Sequence, residues 1–567
     1  MVTVRRGRTV VFGGLCGFGA GFVAWIGAHP FALWVPLVGA AIGGAYTGAS
    51  EKRGRYAIDS VFTGATMGIF VWVALEVIAI PFVSSGVPAW SAVAIRGVFP
   101  AFAGWILYGA TLGAAAHVLV RVGLLREGPR DGRSRWASAD RTRIVILGGG
   151  FAGMTTALKL EEAFRSDCSV DIVLVSDNNA LLFTPMLSEV AGGSVEPTHI
   201  SSPLRSVLRR TRFIRAGVLA VDPERRRVEL HPQDVESTRS EIPYDHLVLA
   251  LGSVSNFFGQ RNIESVALDF KTLTDAIRIR NRVIDLFERA DRETEIDVRR
   301  RMLSFVVAGG GFAGVELAGA LNDFARGILG DYPDLTIDDV SVTCVHARER
   351  ILPELSETLA GYAQARMAER GVTFHLSTRV ADATPHSILL EPGARTIAAD
   401  TLIWTAGTAP NSLLASIDAR KGERGAIAVD ATMAVPGESG LWALGDCAAI
   451  PDTRTGGVFP PTAQHALREG AVLARNIYAC VKGGKPQPFV FDSLGSLCVI
   501  GYQTACAEIR VPLLRQPLRF SGVFAWLMWR AIYVGKLPGF ERKARVLVDW
   551  VTELFFPRDT VQTIDLT

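Results

Sequence analysis

Apolar residues are concentrated in the first 120 positions of the chain. Four runs there are each about 20 residues long, and a helix of that length crosses a hydrocarbon core of about 30 Å. A cleaved signal peptide would supply one such run and not four. We therefore predict a four-helix transmembrane domain at residues 1–121, with spans at about 9–28, 31–49, 61–83 and 98–120.

Charged residues predict how these spans are oriented. Lysines and arginines cluster before the first span, between the second and third, and after the fourth, whereas the opposite loops hold only His29 and Arg96. Under the positive-inside rule, this predicts a multi-pass protein of the inner (cytoplasmic) membrane with the remaining chain in the cytoplasm. Glu76 and His117 fall inside predicted spans, where an ionisable group either serves a function or satisfies a neighbouring helix.

Beyond a Gly-, Pro-, Ser- and Arg-rich linker predicted at 122–141, one pattern occurs twice. In each copy a short apolar run, typical of a buried parallel strand, leads into G-x-G-x-x-G and then into an Ala- and Leu-rich helical stretch. The glycines are Gly148, Gly150 and Gly153 in the first copy, and Gly309, Gly311 and Gly314 in the second.

The spacing of these glycines has a chemical reason. The first permits a tight turn, the second lets the backbone approach a pyrophosphate, and the third allows close packing of helix on strand, so that the helix N-terminus faces the phosphates. One such loop is a weak signal, but two in this context predict two dinucleotides in one chain. We therefore predict an α/β fold with two Rossmann-like dinucleotide-binding domains, and a flavoprotein that takes hydride from a nicotinamide.

The two copies differ after their next strand. In the first, the strand predicted at 171–175 leads to Asp177, which could accept the ribose hydroxyls of an adenosine, although a surface aspartate also commonly ends a strand. In the second, the strand predicted at 340–345 leads to His346, and Arg348 follows. Without an acid, these side chains would suit a 2′-phosphate, although the retained third glycine suits NAD. The second copy therefore predicts NADH or NADPH, with the choice open.

Charge and cysteine spacing argue against a nucleic-acid-binding protein and against a metalloprotein. A net charge of +3 gives no electrostatic argument for nucleic acid binding. None of the seven cysteines lies in a C-x-x-C pair or clusters with a histidine, so we predict no metal site. Such scattered cysteines also fit a reducing compartment.

A set of longer segments extends the pattern from residue 142 to the C-terminus. They are NNALLFTPMLSEVAGG after Asp177, YDHLVLALGS at 244, TLTDAIRIRNRV at 272, GGGFAGVELAG at 309, DTLIWTAGTAPN at 400, LWALGDCAAIPD at 441, PPTAQHALREG at 460 and GSLCVIGYQTA at 495. With them the chain resembles the type II (alternative, non-proton-pumping) NADH:quinone oxidoreductases, a family of membrane-surface flavoenzymes. The resemblance implies FAD as cofactor, NADH or NADPH as co-substrate and a quinone as acceptor, without proton pumping.

The resemblance also implies roles for individual residues. Asp446 of the GD pair would bind the ribityl chain of the flavin, although an aspartate there could also cap a helix. Gln464 would lie beside the isoalloxazine and the quinone. Glu316, predicted in the first turn of the second helix, would face the nicotinamide and handle proton or hydride transfer, although the charge could simply stabilise its own helix. Gly252 and Gly407, in two of the matching segments, are further cofactor-binding candidates.

These observations predict the domain limits. The FAD-binding domain has two parts, 142–265 and 393–485, the NAD(P)H-binding domain spans 266–392, and a membrane-associating and quinone-access region spans 486–567. In this last region, a stretch of apolar, aromatic and basic residues is predicted to form two short helices, because Pro538 and Gly539 interrupt it. Such helices are typical of a membrane interface, although an interior amphipathic helix has the same pattern.

Three other functions are alternatives to a quinone reductase that oxidises NADH or NADPH. A sulfide:quinone reductase would need a cysteine pair beside the flavin, and a disulfide reductase would need two close cysteines in the helix after the first loop; the sequence reveals neither. A membrane-tethered redox sensor or scaffold that binds FAD and NAD(P)H stays open, because the family generally lacks an N-terminal membrane domain. The predicted partners are the lipid bilayer, its quinone pool and NAD(P)H, and a homodimer also stays open.

Overall fold

The computed structural model describes residues 57–72, 75–76, 80–81, 100–121, 141–231, 240–511 and 516–562. The described residues divide into two compact units. Of the described residues, the smaller unit holds those between 57 and 121 together with Pro538–Ala544, and the larger unit holds the remainder.

Helices α1 (Ala57–Trp72) and α2 (Pro100–Arg121) pack against each other in the smaller unit. They overlap the spans predicted at 61–83 and 98–120, whereas those predicted at 9–28 and 31–49 lie outside the described residues. Among the described helices, none combines the length and the apolarity that crossing a membrane requires. The structure therefore does not confirm the predicted four-helix transmembrane domain.

The two ionisable residues inside the predicted spans have different surroundings. Glu76 is buried, and its carboxylate accepts a hydrogen bond from Trp105 Nε1 at 3.1 Å. His117 is partly exposed on α2. The contact with Trp105 favours the interpretation of Glu76 as a group that satisfies a neighbouring helix.

Residues 142–255 contain the first glycine motif. The last four residues of the strand before it are buried, as expected for an apolar run inside a parallel sheet. In chain order the elements are β1 (Thr142–Leu147), α3 (Phe151–Ala163), β2 (Val170–Ser176), β3 (Ala180–Leu182), α4 (Leu187–Ala191), β4 (Ser201–Pro203), α5 (Leu204–Val207), β5 (Arg212–Arg215), β6 (Val218–Asp222), β7 (Arg227–Leu230), β8 (Ser240–Pro243), β9 (His246–Leu249) and β10 (Ser253–Ser255).

Residues 261–404 contain the second glycine motif. Their longest helix begins with a capping box, in which the Thr272 hydroxyl accepts from Asp275 N and the Asp275 carboxylate accepts from Thr272 N. The elements are α6 (Arg261–Val266), β11 (Leu268–Asp269), α7 (Leu273–Ala290), α8 (Ile296–Met302), β12 (Ser304–Ala308), α9 (Phe312–Gly327), β13 (Ser341–Val345), α10 (Glu357–Glu369), β14 (Val372–His375), β15 (Arg379–Thr384), β16 (Ser387–Glu391), β17 (Arg395–Ala398) and β18 (Thr401–Trp404).

The remaining elements include the two helices predicted near the C-terminus. These helices are separate and flank residues 537–539, which confirms the predicted split. The elements are β19 (Thr408–Pro410), β20 (Ile427–Ala428), β21 (Leu441–Ala443), β22 (Ala448–Ala449), α11 (Ala463–Val481), β23 (Gly495–Val499), β24 (Ala505–Ile509), β25 (Leu518–Ser521), α12 (Gly522–Lys536) and α13 (Phe540–Thr552).

Two five-stranded parallel sheets, each with one glycine motif, form the centre of the larger unit. The first has the strand order β21-β9-β1-β2-β5, so it combines two separated parts of the chain. The second has the order β11-β18-β12-β13-β14. Because β18 pairs with β12, this second sheet extends past residue 392, the predicted end of the nucleotide-binding domain. Each motif therefore follows the central strand of its own sheet.

Candidate active site

The two glycine loops have the same backbone geometry. Gly148 and Gly309 have φ values of +109° and +122°, which favour glycine. A Cβ added at Gly153 would lie 2.0 Å from the carbonyl oxygen of Gly148. At the matching place in the second loop, a Cβ on Gly314 would lie 1.8 Å from the carbonyl oxygen of Gly309. The turn and the close helix packing therefore require the first and third glycine of each loop.

The middle glycine of each loop faces open space. Apart from the adjoining residues of the chain, no heavy atom of the described residues lies within 4 Å of a Cβ built on Gly150 or on Gly311. These glycines are the N-caps of α3 and α9, and neither helix has a side-chain cap there. The first amides of both helices can therefore bind an anion, which fits one pyrophosphate at each loop.

Asp177 lies directly after β2, the strand next to β1 in the first sheet. Its side chain is exposed, and its carboxylate accepts a hydrogen bond from Asn178 N at 2.8 Å. This position suits the ribose of an adenosine, and it also suits a surface aspartate that ends a strand. The role of Asp177 therefore stays a prediction.

His346 has the equivalent position after β13 in the second sheet. Its Nδ1 accepts a hydrogen bond from Gly310 N, inside the glycine loop, at 3.0 Å. Burial, and to a smaller extent the nearby Arg348, lower the pKa of His346. The imidazole is therefore neutral at pH 7, and the exposed Arg348 is the cation that could meet a 2′-phosphate here.

Asp446 lies in the short turn after β21. Its carboxylate accepts a hydrogen bond from Ser253 Oγ, and Lys271 Nζ donates to that hydroxyl at 2.8 Å. Burial lowers the pKa of Lys271, and the charge of Asp446 opposes this effect. The N-cap of the turn is Leu444, so the interpretation of Asp446 as a helix cap is wrong.

Gly252 and Gly407 each precede one strand of the antiparallel pair β10 and β19. The Gly252 carbonyl accepts from Asn411 N at 3.2 Å, and the Gly407 carbonyl accepts from Asn256 N at 3.1 Å. The structure therefore brings these two predicted residues to opposite ends of one strand pair.

Gln464 is the second residue of α11, and both ends of its amide are used. Its Nε2 donates to the carbonyl oxygen of Gly495 at 3.1 Å, and its Oε1 accepts from Leu494 N at 3.0 Å. These two hydrogen bonds fix the start of β23. The resemblance alone gave no indication of this contact.

Glu316 is the fifth residue of α9, and its side chain is buried. Its Oε1 accepts a hydrogen bond from Val499 N at 3.2 Å. Burial, as the largest cause, raises the pKa of Glu316 to about 8, whereas the hydrogen bond from Val499 opposes the shift. The prediction of a charged group in the first helical turn is therefore wrong, because the carboxyl lies deeper in the helix and is mostly neutral at pH 7.

One strand thus connects the two residues predicted to be catalytic. Gln464 binds the residues at the start of β23, and Glu316 binds Val499 at its end. The two side chains come from helices about 150 residues apart in the chain. Their common contact could not be predicted from either motif alone.

Glu189 is a second buried carboxyl that the sequence analysis missed. It lies in α4, and its Oε2 accepts a hydrogen bond from Trp550 Nε1 at 2.7 Å. Burial raises the pKa of Glu189 to about 7, while the charge of Arg530 acts in the opposite direction. The charge of Glu189 also adds to the raised pKa of Glu316. The only sequence signal for Glu189 is an acid inside the apolar segment LSEVAGG.

Aromatic rings extend from the first glycine loop to α12. Phe151 in that loop contacts Phe183 edge-on with ring centroids 5.8 Å apart, and Phe183 contacts Tyr533 at 6.0 Å. Tyr533 in turn contacts Trp529 at 4.6 Å. This row connects the first loop with the C-terminal region that was predicted to admit a quinone.

Two cysteines that do not form a C-x-x-C motif lie opposite each other on neighbouring strands. Cys498 on β23 and Cys506 on β24 are directly opposite in the strand register, and both are buried. The sequence analysis considered pairs at C-x-x-C spacing, beside the flavin or in the helix after the first loop, and this arrangement is none of these. Burial raises the pKa of the Cys506 thiol to about 12 and that of Cys498 well above its usual value. Neither is a ready nucleophile, so the pair does not favour sulfide chemistry.

Two family models match this chain. Residues 142–470 match the family model of the pyridine nucleotide-disulphide oxidoreductases, and residues 494–559 match that of the NDH2 C-terminal domain. The fold and the paired loops therefore define a pyridine-nucleotide-dependent flavoprotein oxidoreductase.

Similarity to individual proteins identifies the family within this class. The type II NADH:quinone oxidoreductase Ndh of Mycobacterium tuberculosis is 30% identical over 439 residues, which cover 75% of this chain and 90% of that protein. The external alternative NADH-ubiquinone oxidoreductase of Yarrowia lipolytica is 28% identical, covering 75% of this chain and 81% of that protein. The chain belongs to the type II NADH:quinone oxidoreductase family. This confirms the predicted resemblance and enzyme class, and it agrees with the predicted set of FAD, nicotinamide dinucleotide and quinone.

Solved structures support the same fold. NDH2 from Plasmodium falciparum in complex with NADH has a TM-score of 0.68 at 18% identity, and the match covers 74% of this chain and all of that one. A sulfide:quinone oxidoreductase from Aquifex aeolicus has a TM-score of 0.56 at 19% identity, covering 73% of this chain and 95% of that one. At these identities the likeness concerns the fold alone.

Proposed function

We propose that this chain passes a hydride from NADH, with NADPH as a second donor, to FAD, and two electrons onward to a membrane quinone, without proton pumping. The observation that supports this most directly is the duplicated loop. Both middle glycines face open space at a helix that lacks a side-chain cap. One chain therefore offers two pyrophosphate sites, as a relay between two dinucleotides requires.

The first sheet would hold the FAD. Its glycine loop would bind the pyrophosphate, Asp177 the adenosine ribose, and Asp446 the ribityl chain. Ser253 and Lys271 act as positioning residues, because their hydrogen bonds hold the Asp446 carboxylate in one orientation. When bound, FAD supplies the redox chemistry by accepting the hydride and releasing two electrons.

The second sheet would hold the nicotinamide dinucleotide, with Glu316 as the group that handles a proton. A buried carboxyl with a pKa near 8 keeps its proton at neutral pH and can release it when negative charge develops nearby. The hydrogen bond from Val499 N to Oε1 holds the carboxyl in place. Glu189 lies close enough for its charge to raise the proton affinity of Glu316.

Gln464 would lie between the flavin and the quinone. Its two hydrogen bonds to Leu494 and Gly495 hold the amide in place and couple α11 to β23. Because Glu316 binds the other end of β23, a shift of this strand would reach both residues.

A steady-state assay tests the proposed function. Purified full-length protein with its flavin is expected to lose the oxidised flavin absorbance on addition of NADH and to regain it when a soluble quinone is added. Continuous turnover should follow at a rate set by both substrates. Negligible quinone-dependent oxidation of NADH and NADPH by flavin-replete protein would contradict the proposal and favour the redox sensor or scaffold.

The C-terminal region has the surface expected for contact with a bilayer. Large apolar side chains on α12 and after α13 are exposed, including Phe524 and Leu527 on the former and Phe555 and Phe556 beyond the latter. Solvent-exposed aromatic side chains in such numbers are costly in water and favour a lipid interface. We place the quinone entrance beside this surface, at the end of the aromatic row formed by Phe151, Phe183, Tyr533 and Trp529.

Charges placed on this surface should impair access of lipid-dissolved quinone. Phe555 and Phe556 are 76% and 68% exposed. Replacing both with glutamate is expected to raise the KM for a long-tailed quinone in membranes by at least about tenfold, because burying even one such side chain in lipid is worth about 1.5–3 kcal/mol. The KM values for NADH and for a soluble short-chain quinone should stay unchanged.

The matched control is Ile337→Glu, at a residue that is 51% exposed and distant in sequence from the C-terminal region. This variant should behave as the unmodified chain with both quinones. If the double glutamate variant keeps its KM for the long-tailed quinone, the C-terminal surface does not take part in quinone access.

The remaining sequence predictions extend this proposal. The apolar runs in residues 1–121 would anchor the chain as a multi-pass protein of the inner membrane, with the two sheets in the cytoplasm. A homodimer is also part of the proposal, as are the predicted domain limits other than the one at residue 392, which the pairing of β18 with β12 moves toward the C-terminus.

A further inference from the structure

His346 stands where a dinucleotide-binding sheet of this kind usually presents an acid to the adenosine ribose. Its ring packs on the glycine loop, since a Cβ added at Gly310 would lie 2.7 Å from the Cγ of His346. The Gly310 N–H donates to Nδ1 at 3.0 Å. The loop that faces the pyrophosphate therefore also fixes the orientation of this imidazole.

The other ring nitrogen is an unused donor. Because Nδ1 accepts a hydrogen bond, the neutral ring has its proton on Nε2. Nε2 is buried, and no partner for it exists within the ranges that the structure describes. A buried donor without a partner is unfavourable, so an oxygen atom of a ligand at this place would gain the whole hydrogen bond.

We propose that the Nε2–H of His346 donates a hydrogen bond to the 2′-oxygen of the adenosine ribose, and that the site therefore accepts NADH and NADPH alike. This rests on the proposed function, in which the second sheet binds the nicotinamide dinucleotide. A carboxylate at this position accepts from a 2′-hydroxyl and repels a 2′-phosphate, whereas an N–H group donates to either oxygen. Arg348 follows at an exposed position and adds a charge that suits the phosphate.

Two conservative variants separate the two roles of the ring. In His346→Asn, the amide oxygen takes the place of Nδ1 and keeps the bond from Gly310, but the donor at the position of Nε2 is lost. In His346→Gln, the amide nitrogen reaches the position of Nε2, but the acceptor for Gly310 is lost. Calorimetry on the flavin-containing full-length protein would measure the dissociation constants of ADP-ribose and 2′-phospho-ADP-ribose. The KM values for NADH and NADPH with a soluble quinone would be measured beside them.

The unmodified protein is expected to bind the two ligands within about tenfold of each other. His346→Gln should keep both affinities within about threefold, and His346→Asn should weaken both by about tenfold, the effect of one hydrogen bond. His346→Asp should favour ADP-ribose over its 2′-phosphate by at least about tenfold more than the unmodified chain does, because the new charge repels the phosphate.

The opposite ranking would overturn the proposal. If His346→Asn keeps the affinities and His346→Gln loses them, the ring serves only the loop. Equal affinities in all variants would show that His346 does not contact the nucleotide. Failure of the proposed function itself would be visible in the unmodified protein, which would then bind neither ligand and show no bleaching of the flavin by NADH.

Discussion

Replacing Glu316 with glutamine is expected to lower kcat for quinone-dependent NADH oxidation by at least about 100-fold, the usual contribution of a positioned proton-transfer group. Glutamine retains the oxygen that accepts from Val499 N, so β23 should keep its place. Flavin content and the KM for NADH should therefore change little. Stopped-flow and steady-state kinetics would measure these effects.

The pH profile provides a second readout for Glu316. Because burial raises its pKa to about 8, the carboxyl is protonated below that pH and ionised above it. A step that needs the proton is fully active below pH 8 and declines as the pH rises through this value. This decline of activity at high pH, the basic limb of the pH profile, should be absent in Glu316→Gln. An unchanged kcat together with an unchanged basic limb would show that Glu316 takes no part in the reaction.

Glu189→Gln is the matched control. Glutamine can still accept the hydrogen bond from Trp550 Nε1, so the contact with α13 is kept. Removing the charge of Glu189 should lower the pKa of Glu316, since that charge helps to raise it. The basic limb is therefore expected to move to lower pH in this variant, with a much smaller loss of kcat than in Glu316→Gln.

Alanine at the third glycine of each loop is expected to separate the two dinucleotide sites. In Gly153→Ala, the new Cβ would lie 2.0 Å from the Gly148 carbonyl oxygen, so the first loop must move. Strain of this kind costs about 1–3 kcal/mol, which weakens FAD binding roughly 10- to 100-fold. The purified variant should be largely free of flavin, as its absorbance spectrum would show.

The same change in the second loop should leave the flavin in place. In Gly314→Ala, the Cβ would lie 1.8 Å from the Gly309 carbonyl oxygen, and the KM for NADH should rise by roughly 10- to 100-fold. Gly361→Ala is the control, because this helical glycine has open space around its Cβ among the described residues. Loss of flavin from Gly314→Ala, or its retention by Gly153→Ala, would contradict the assignment of the loops.

Some features of the site can be read from short segments of the chain. The order of strand, glycine loop and helix is a local property, and both copies fold as the spacing predicts, with Gly148 and Gly309 at positive φ. The split between α12 and α13 is also local, because Pro538 and Gly539 interrupt a helix wherever they occur together. The N-terminal runs are an equally local pattern, but most of them lie outside the described residues.

The tertiary structure decided those properties that depend on residues far apart in the chain. Glu316 was predicted as a charged helix end, but the fold buries its carboxyl, and this burial raises its pKa although the hydrogen bond from Val499 N opposes the shift. His346 was predicted as a partner for phosphate, but burial keeps its imidazole neutral, and the contact of Nδ1 with Gly310 N leaves Nε2 as an unused donor.

The sequence by itself thus determined that this protein has two glycine loops, two sheets and the family to which they belong, because strand periodicity and glycine spacing act over a few residues. Only the tertiary structure decided the chemical state of the residues around those loops. Burial and hydrogen bonding set a pKa or a tautomer, and both arise from neighbours such as Val499, Trp550 and Gly310 that no local pattern identifies.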